Sequence, residues 1–280
     1  MMDRIYGFTI ESEKHRKYRR TIEDSYALDE ARKVIAVADG VTRDPLEVLP
    51  DLNTEAGKLE FFRHYPRPSP AKLAADIFTR NFIKLANASE QNIKNAFVRV
   101  NQRIKTWNNS NMKNPDYLTR DFAGCVASGA IVSGDNYFYG FICDCGVVVF
   151  NKDGKIKFIT ESEDPHRLDK YIWQDPQVKG KTWSDPDVRA RIRSHFRNNP
   201  NNPHSFGVLT GEEVAMNYVR TGSGKLSSGD IIMVYTDDAR PILTSKKFAE
   251  KIKARDQAEI ENLMQAKVNN EGSLAWYVKD

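Results

Sequence analysis

The sequence predicts an α+β fold built on antiparallel strands, and three observations carry that reading. Short β-branched apolar runs, residues 34–41 and 231–236, end abruptly in or at aspartate. Runs of this length are read as strands buried on both faces. Neighbouring strands are joined by turns such as Asp29-Glu30 and Ser133-Gly134-Asp135-Asn136, which are too short for a parallel crossover. Between the early and the middle strands lie two amphipathic helices joined by a short link, so they form an antiparallel pair packed on a sheet.

Taken in order, residues 4–11 alternate Ile5, Gly7 and Thr9 against Tyr6, Phe8 and Ile10, the period of a strand. The basic run 14–20 follows and is expected to be a solvated loop. Glu23-Asp24 opens a second strand, which turns into the strand 34–41 and is expected to pair with its neighbours. Residues 42–69 hold Pro45, Pro50, Pro66 and Pro68 and read as a surface excursion, with one helical turn near 55–62. Ser69-Pro70 gives a cap and a proline at the first helical position; Leu73, Ile77, Phe78, Phe82 and Leu85 then share a face. Ser89 caps the next helix, whose apolar face is Ile93, Phe97, Val100, Ile104 and Trp107. From Ala123 the chain is strand-rich, with runs 126–132, 137–143 and 145–150 predicted as a β-meander. Residues 161–205 are polar, rich in Pro and Asn, and read as a surface insertion; Arg189, Arg191, Arg193 and Arg197 are assigned to a solvated face. Regular structure returns at 206–211 and 231–238. Helices are expected at 246–255 and from Asp256, where Glu259 completes a capping pattern. The last strand is 273–278. The whole chain, 1–280, reads as one domain with a flap insertion at about 161–205, since no linker, repeat or low-complexity tract divides it.

Composition excludes several classes. The 280 residues carry 42 basic and 38 acidic side chains, and a net charge of +4 does not point to nucleic acid. Cys125, Cys143 and Cys145 lie in apolar runs, and an odd count without a wide framework argues against a disulfide-stapled secreted domain. Cys143-Asp144-Cys145 lacks the second pair a zinc site needs. No run approaches the length of a membrane span, and the N-terminus lacks a signal-like apolar segment. The expectation is a cytoplasmic monomer, with no nucleic-acid or membrane partner. His15, His64, His166, His195 and His204 fall in polar or irregular stretches and are expected at the surface.

The chemistry-bearing pattern is acidic. Glu23, Asp39, Asp144 and Asp237, with Asn270-Glu271 before the last strand, each stand at a strand end or within a strand. A lone carboxylate such as Asp144 is costly inside an apolar run unless something pairs with it. Strand ends can converge on one cleft, and oxygen ligands without His or Cys suit hard cations such as Mg²⁺ or Mn²⁺. Divalent metal is the simplest offset for carboxylates packed together. Two ions sharing Asp39 could acidify a bridging water for attack on phosphorus, and Arg19 or Arg20 could clamp the phosphate oxygens.

On these residues the sequence resembles the metal-dependent Ser/Thr protein phosphatases, the protein phosphatase 2C family. Thr21-Ile22-Glu23-Asp24 resembles the first acidic motif, Val37-Ala38-Asp39-Gly40-Val41 the Asp-Gly motif, and Gly124-Cys125-Val126-Ala127 a later strand start. Asp144 falls where the family has Gly-Asp-Ser; segments 207–211 and 229–237 are similar to its late motifs, all in the family's order. The resemblance implies an α-β-β-α sandwich, two antiparallel sheets flanked by helix pairs. It implies two or three Mn²⁺ or Mg²⁺ ions and direct attack by water without a phosphoenzyme. It gives Asp39 as the bridging ligand, the Gly40 carbonyl on one of the two metals, Asp237 on the first and Glu23 reaching the second directly or through water, with Asp144 and Asp237 at a third, weaker ion. Arg19 becomes the phosphate-binding arginine and Asp24 its orienting partner. The partners implied are a phosphorylated protein substrate and a cognate Ser/Thr kinase system.

Three positions depart from the pattern. Asn270-Glu271 stands where Asp-Asp or Asp-Asn is usual, which removes a charge from the first metal unless Glu271 substitutes. Val41 stands where some members have a histidine proposed as general acid, so the leaving oxygen must take its proton from water or elsewhere. Cys143 and Cys145 replace small residues around Asp144. The expected activity is Mn/Mg-dependent hydrolysis of phosphoserine and phosphothreonine in proteins. The alternative is a catalytically silent relative that binds a phosphoprotein or partner, weakened at the metal site by Asn270.

Overall fold

The computed structural model describes residues 4–18, 20–41, 50–112, 122–163, 169–182 and 185–280. Strand β1 (Arg4–Glu11) leads into the short helix α1 (Glu13–Lys17), then β2 (Ser25–Asp29) and β3 (Val34–Gly40). Three helices follow, α2 (Glu55–His64), α3 (Pro70–Leu85) and α4 (Glu90–Asn111). Strands β4 (Cys125–Ser133), β5 (Asn136–Ile142), β6 (Gly146–Phe150) and β7 (Ile156–Ile159) come next, then α5 (Asp169–Ile172) and α6 (Pro186–Arg191). The chain closes with β8 (Arg220–Lys225), β9 (Ile231–Tyr235), α7 (Arg240–Leu243), α8 (Lys246–Ala254), α9 (Gln257–Lys267) and β10 (Glu271–Val278).

The strands form two five-stranded antiparallel sheets, ordered β1-β10-β9-β6-β7 and β2-β3-β4-β5-β8. Side-chain alternation shows how they stack. In β3, Val34, Ala36 and Ala38 join one core with Phe78 and Phe82 of α3 and Phe97 of α4. The intervening Ile35 and Val37 face the other sheet, where they share a second core with Val147, Val149, Ile232, Val234, Ala275 and Tyr277. A third core sets Met233, Phe150 and Trp276 against Phe248 and Ile252 of α8 and Ile260 and Met264 of α9. The result is an α-β-β-α sandwich in which each central strand is apolar on both faces, as the unbroken hydrophobic runs require.

The helix layer approaches the sheet closely because its inner face is small. Ala71, Ala74 and Ala75 are buried in α3, and a Cβ on Gly40 would lie 2.6 Å from the backbone of Ala71 and 2.9 Å from the Glu23 carbonyl. Phe82 in turn lies directly over Gly129 of β4, whose missing Cβ makes room for the ring. Ser69, Ser89, Ser245 and Asp256 each accept a backbone N–H at a helix start, as their positions in sequence predict.

Several expectations are corrected. β1 does not pair with β2: it lies antiparallel to β10, and the chain changes sheets between them. The segment 126–150 is a β4–β5 hairpin followed by a crossing, not a meander, because β6 belongs to the opposite sheet. The crossing occurs at Cys143-Asp144-Cys145, where Cys143 has φ 66°, so Asp144 occupies a turn between sheets and not the interior of a strand. The basic run 14–20 contains a capped helical turn. Residues 206–211 make only isolated bridges, and β7 and β8, too short or too polar to signal themselves, complete the sheets.

The flap segment extends the core shared by β3, α3 and α4. Ile172, Val178, Val188, Ile192 and Phe196 are buried in the cluster that includes Val208 and Leu209. Arg193 and Arg197 are buried with them, at 6% and 2% exposure. The solvated face expected for these two arginines is therefore corrected. Arg193 lies within the π-type turn Ile192–Phe196, and Arg197, just past it, is extended in a bridge with Phe206 and lies 3.9 Å from Glu212 Oε2. No helix among the described residues is long and apolar enough to cross a membrane.

Phe82 is stacked on Phe78 at 5.3 Å and fully buried. Phe82→Ala is expected to cost about 3–5 kcal/mol, since the backbone below it at Gly129 cannot collapse into the cavity. Thermal or denaturant unfolding measures it, and a loss below about 1 kcal/mol would contradict this packing.

Candidate metal centre

The candidate site lies at one end of the interface between the sheets. Asp39 is the penultimate residue of β3 and shares the strand parity of Ile35 and Val37, so its side chain projects between the sheets beyond the apolar core. Glu271 opens β10 with the parity of Ala275 and Tyr277, and faces the same gap from the other sheet. Asp24, just before β2, has the parity of Leu28, which packs into that core. One carboxylate oxygen from each of Asp24, Asp39 and Glu271 lies within 4.8 Å of the other two. Asp24 is buried, Glu271 nearly so, and Asp39 is half-buried.

Electrostatics follows from this geometry. Burial, then the charge of Glu271, pushes the Asp24 carboxyl well above the ordinary range, although the Thr236 and Ser273 hydroxyls oppose the shift. The Asp39 carboxyl is pushed well up by burial and then by Asp24, Asp237, Asp144 and Glu271 in turn. Asp144 and Asp237 are thus within electrostatic reach of Asp39, from the β5–β6 crossing and from the end of β9. Glu271 is pushed up to about 7 by burial, opposed by the backbone N–H groups of Asp24 and Glu23. These amides donate to Glu271 Oε2 at 3.3 and 2.8 Å. The Thr236 hydroxyl, at the end of β9, donates to Asp24 Oδ2 at 2.8 Å and ties the two sheets at the site.

The other expected residues are placed as follows. Glu23 has the opposite parity to Asp24, and its carboxylate turns toward the helix layer, accepting from Tyr65 Oη at 2.8 Å and from Ser69 Oγ. Ser25, two residues on, also faces that layer and donates to Asp76 of α3. Asp237 is exposed just beyond β9. Asn270 does not join the carboxylate cluster: its Oδ1 accepts from Arg20 Nη1 at 3.2 Å, while its N–H donates to Asp238. Arg19 lies outside the described residues. Arg20 is held by Asn270 and by the face of Phe62, 5.2 Å from its guanidinium.

Sequence reading named Asp24 only as the residue that orients Arg19, whereas here it stands with Asp39 and Glu271, and it missed His15. His15 had no signal, because it sits among charged residues; yet it is fully buried, with Nδ1 3.1 Å from Glu11 Oε2 and Nε2 3.8 Å from Glu271 Oε1. Its expected surface position is corrected. Burial and then Arg20 lower the His15 pKa, against the opposing hydrogen bond with Glu11. The cysteines are buried and form no disulfide among the described residues, and burial pushes the Cys125 and Cys145 thiols up, so neither offers a thiolate. A separate cavity of about 400 Å³, lined by Tyr171, Asp175, Arg191 and His204 among others, lies in the flap and includes none of Asp24, Asp39, Asp144, Asp237 and Glu271.

The donor set fits a hard divalent cation. It consists of oxygens from three separate chain segments, crowded enough that each carboxylate raises the proton affinity of the others. A cation would lower that cost for all of them at once.

A carboxyl with a raised folded-state pKa binds its proton more tightly in the native state than in the unfolded chain. Its stabilising contribution is full below the unfolded value and is lost as pH rises through the folded one. For Glu271 this window runs from 4.5 to about 7. Chelator-treated protein is expected to lose stability across it. Glu271→Gln should flatten that slope, leaving the variant more heat-stable above the window and equal to the parent below it. The shift is worth on the order of 3 kcal/mol at most. Melting temperatures against pH check this, and parallel curves for parent and variant would show that Glu271 does not titrate this way.

No protein-family model matches the chain, and no curated protein sequence matches it. Solved structures do. PppA, a key regulatory component of T6SS in Pseudomonas aeruginosa, superposes with a TM-score of 0.61 at 9% identity, over 99% of this chain and 98% of that one. The catalytic domain of the serine/threonine phosphatase PstP, in complex with two manganese ions, matches with a TM-score of 0.61 at 14% identity and 99% coverage of both chains. RsbX in complex with magnesium gives 0.54 at 12% identity, over 98% of this chain and 94% of that one. The chain thus has, along nearly its whole length, the fold of the metal-dependent protein phosphatases that its motifs resemble.

Proposed function

We propose that this chain is a Mn²⁺- or Mg²⁺-dependent protein phosphatase acting on phosphoserine and phosphothreonine. The observation that carries the reading is the cluster of Asp24, Asp39 and Glu271 oxygens at the open end of the sandwich. Asp39, within reach of both Asp24 and Glu271, would be the ligand shared by two cations, and the Gly40 carbonyl would add a further oxygen. Glu271 supplies the charge that Asn270 lacks. Asp237 and Asp144 complete the acidic rim and would hold a third, weaker ion. When bound, the cations supply Lewis acidity, acidifying water and offsetting phosphate charge. Arg19 lies outside the described residues; among the described ones Arg20, braced by Asn270 and Phe62, would orient the phosphate by a planar fork. Glu23 serves as a clasp that fixes the start of α3 through Ser69 and Tyr65. The substrate in this reading is a protein phosphorylated by a Ser/Thr kinase, and the three free thiols suit a reducing compartment.

A second reading, a silent relative that binds a phosphoprotein, is favoured by one observation: the Asn270 amide oxygen is engaged by Arg20. One experiment separates the two. Hydrolysis of a phosphothreonine peptide is expected to rise with added Mn²⁺ and to fall by at least about 100-fold in Asp39→Asn, with the fold retained. Tight peptide binding without metal-dependent turnover would favour the silent reading instead.

The two acidic neighbours should also part company. Asp24→Asn is expected to weaken Mn²⁺ binding about tenfold or more, a loss of about 1.4 kcal/mol. Glu23→Gln should leave Mn²⁺ affinity within a few-fold and lower the melting temperature instead. Calorimetric titration with Mn²⁺ alongside thermal melts checks both; the opposite assignment of effects would return Glu23 to the metal.

A further inference from the structure

We infer that His15 is a positioning residue for Glu271: its imidazole, wedged between the Glu11 and Glu271 carboxylates, limits where the Glu271 carboxylate can sit beside Asp24 and Asp39 and so its readiness for a divalent cation. The inference rests on the metal-dependent reading above and adds a residue to it.

Four observations converge. In the β1–β10 ladder Glu11 lies directly opposite Glu271. Like charges directly opposite are destabilising, and here a third group stands between them. His15 Nδ1 is 3.1 Å from Glu11 Oε2, a hydrogen bond with Nδ1–H donating, and Nε2 is 3.8 Å from Glu271 Oε1. The ring is 0% exposed although Glu13, Lys14, Arg16 and Lys17 around it are all exposed. One residue of a charged stretch is therefore turned inward, against the propensity of its neighbours.

The backbone that carries His15 is bolted to the segment that carries Glu271. Ser12 N–H donates to the Asn270 carbonyl at 2.7 Å, and Ser12 Oγ donates to the Asn269 carbonyl at 2.8 Å. The same Ser12 Oγ accepts the His15 N–H at 3.1 Å and so caps α1. The Thr21 backbone and the Arg20 guanidinium also face the ring. The backbone at His15 is thus tied through Ser12 to the turn before β10.

Glu271 is then held from two sides. Its Oε2 accepts the N–H groups of Glu23 and Asp24. The His15 edge limits where Oε1 can go. Outer groups that orient a ligand typically change metal affinity 10–100-fold when removed.

Side-chain stereochemistry supplies the test. An asparagine amide can take the place of Nδ1, and a glutamine amide reaches the place of Nε2. Mn²⁺ affinity is measured by calorimetric titration for the parent, Asp39→Asn, His15→Asn, His15→Gln and Glu11→Ala, with melting temperatures recorded beside them. The expected result is a loss of about tenfold or more for His15→Asn and Glu11→Ala, with His15→Gln within a few-fold of the parent. A merely structural role would lower the melting temperature of both His15 variants without splitting their Mn²⁺ affinities, and would overturn the inference. Should His15→Asn fail to fold, Glu11→Ala decides, because Glu11 is partly exposed and frees the ring without emptying its site; unchanged affinity there overturns the inference. A parent that binds no Mn²⁺ at all would sink the metal-dependent reading and this inference together. A parent that binds Mn²⁺ while Glu11→Ala matches it would sink this inference alone.

Discussion

The fold is organised around mutual repulsion among carboxylates brought together at one end of the β-sandwich. Asp24, Asp39 and Glu271 reach that end from three strands, and Asp144 and Asp237 add their fields. Loss of hydration and like charge both disfavour ionisation there. The surrounding structure answers with small, fixed positive poles: two backbone amides on Glu271 and a hydroxyl on Asp24. These steady the side chains without neutralising them, so the site remains strongly attractive to a divalent cation.

Close approach of backbone to backbone holds this arrangement open. Gly40 follows Asp39 where any Cβ would collide with the first turn of α3 and with the Glu23 carbonyl. That first turn is in turn fixed by Ser69, which caps α3 and donates to Glu23. At the crossing between sheets, Cys143 takes a left-handed conformation that ordinarily favours glycine. The Cys143 carbonyl accepts the N–H of Glu163, so the turn bearing Asp144 is tied to the root of the flap. The flap is therefore connected mechanically to the acidic rim, through backbone rather than through a flexible side chain.

Most of the elements were legible in the sequence because their signals are local. The caps at Ser69, Ser89 and Asp256 and the apolar stripes of α3 and α4 depend only on residues three or four apart. The runs ending at Asp39 and Asp237 marked the two strands that deliver acids. What could not be read was which sheet each strand joins. β1 pairs with β10 across nearly the whole chain, and β6 leaves its hairpin partner for the other sheet, because hydrogen bonding along an apolar strand is the same on either side. Strand parity would have distinguished Asp24 from Glu23, but only once the face of β2 toward the other sheet was known.

Residue type and local pattern account for the acidic inventory, the strand ends that carry it and the oxygen-only chemistry that suits a hard cation. Which side chains meet depends on the tertiary arrangement. It turned Glu23 toward Tyr65 and Ser69, gave Glu271 the place beside Asp39, set Asn270 against Arg20, and buried His15 between two carboxylates. The physical reason is that a carboxylate's partner is fixed by the face it occupies and by the segments packed beside it, which lie from about forty residues away for Glu23 to about two hundred and fifty for Arg20 and Asn270.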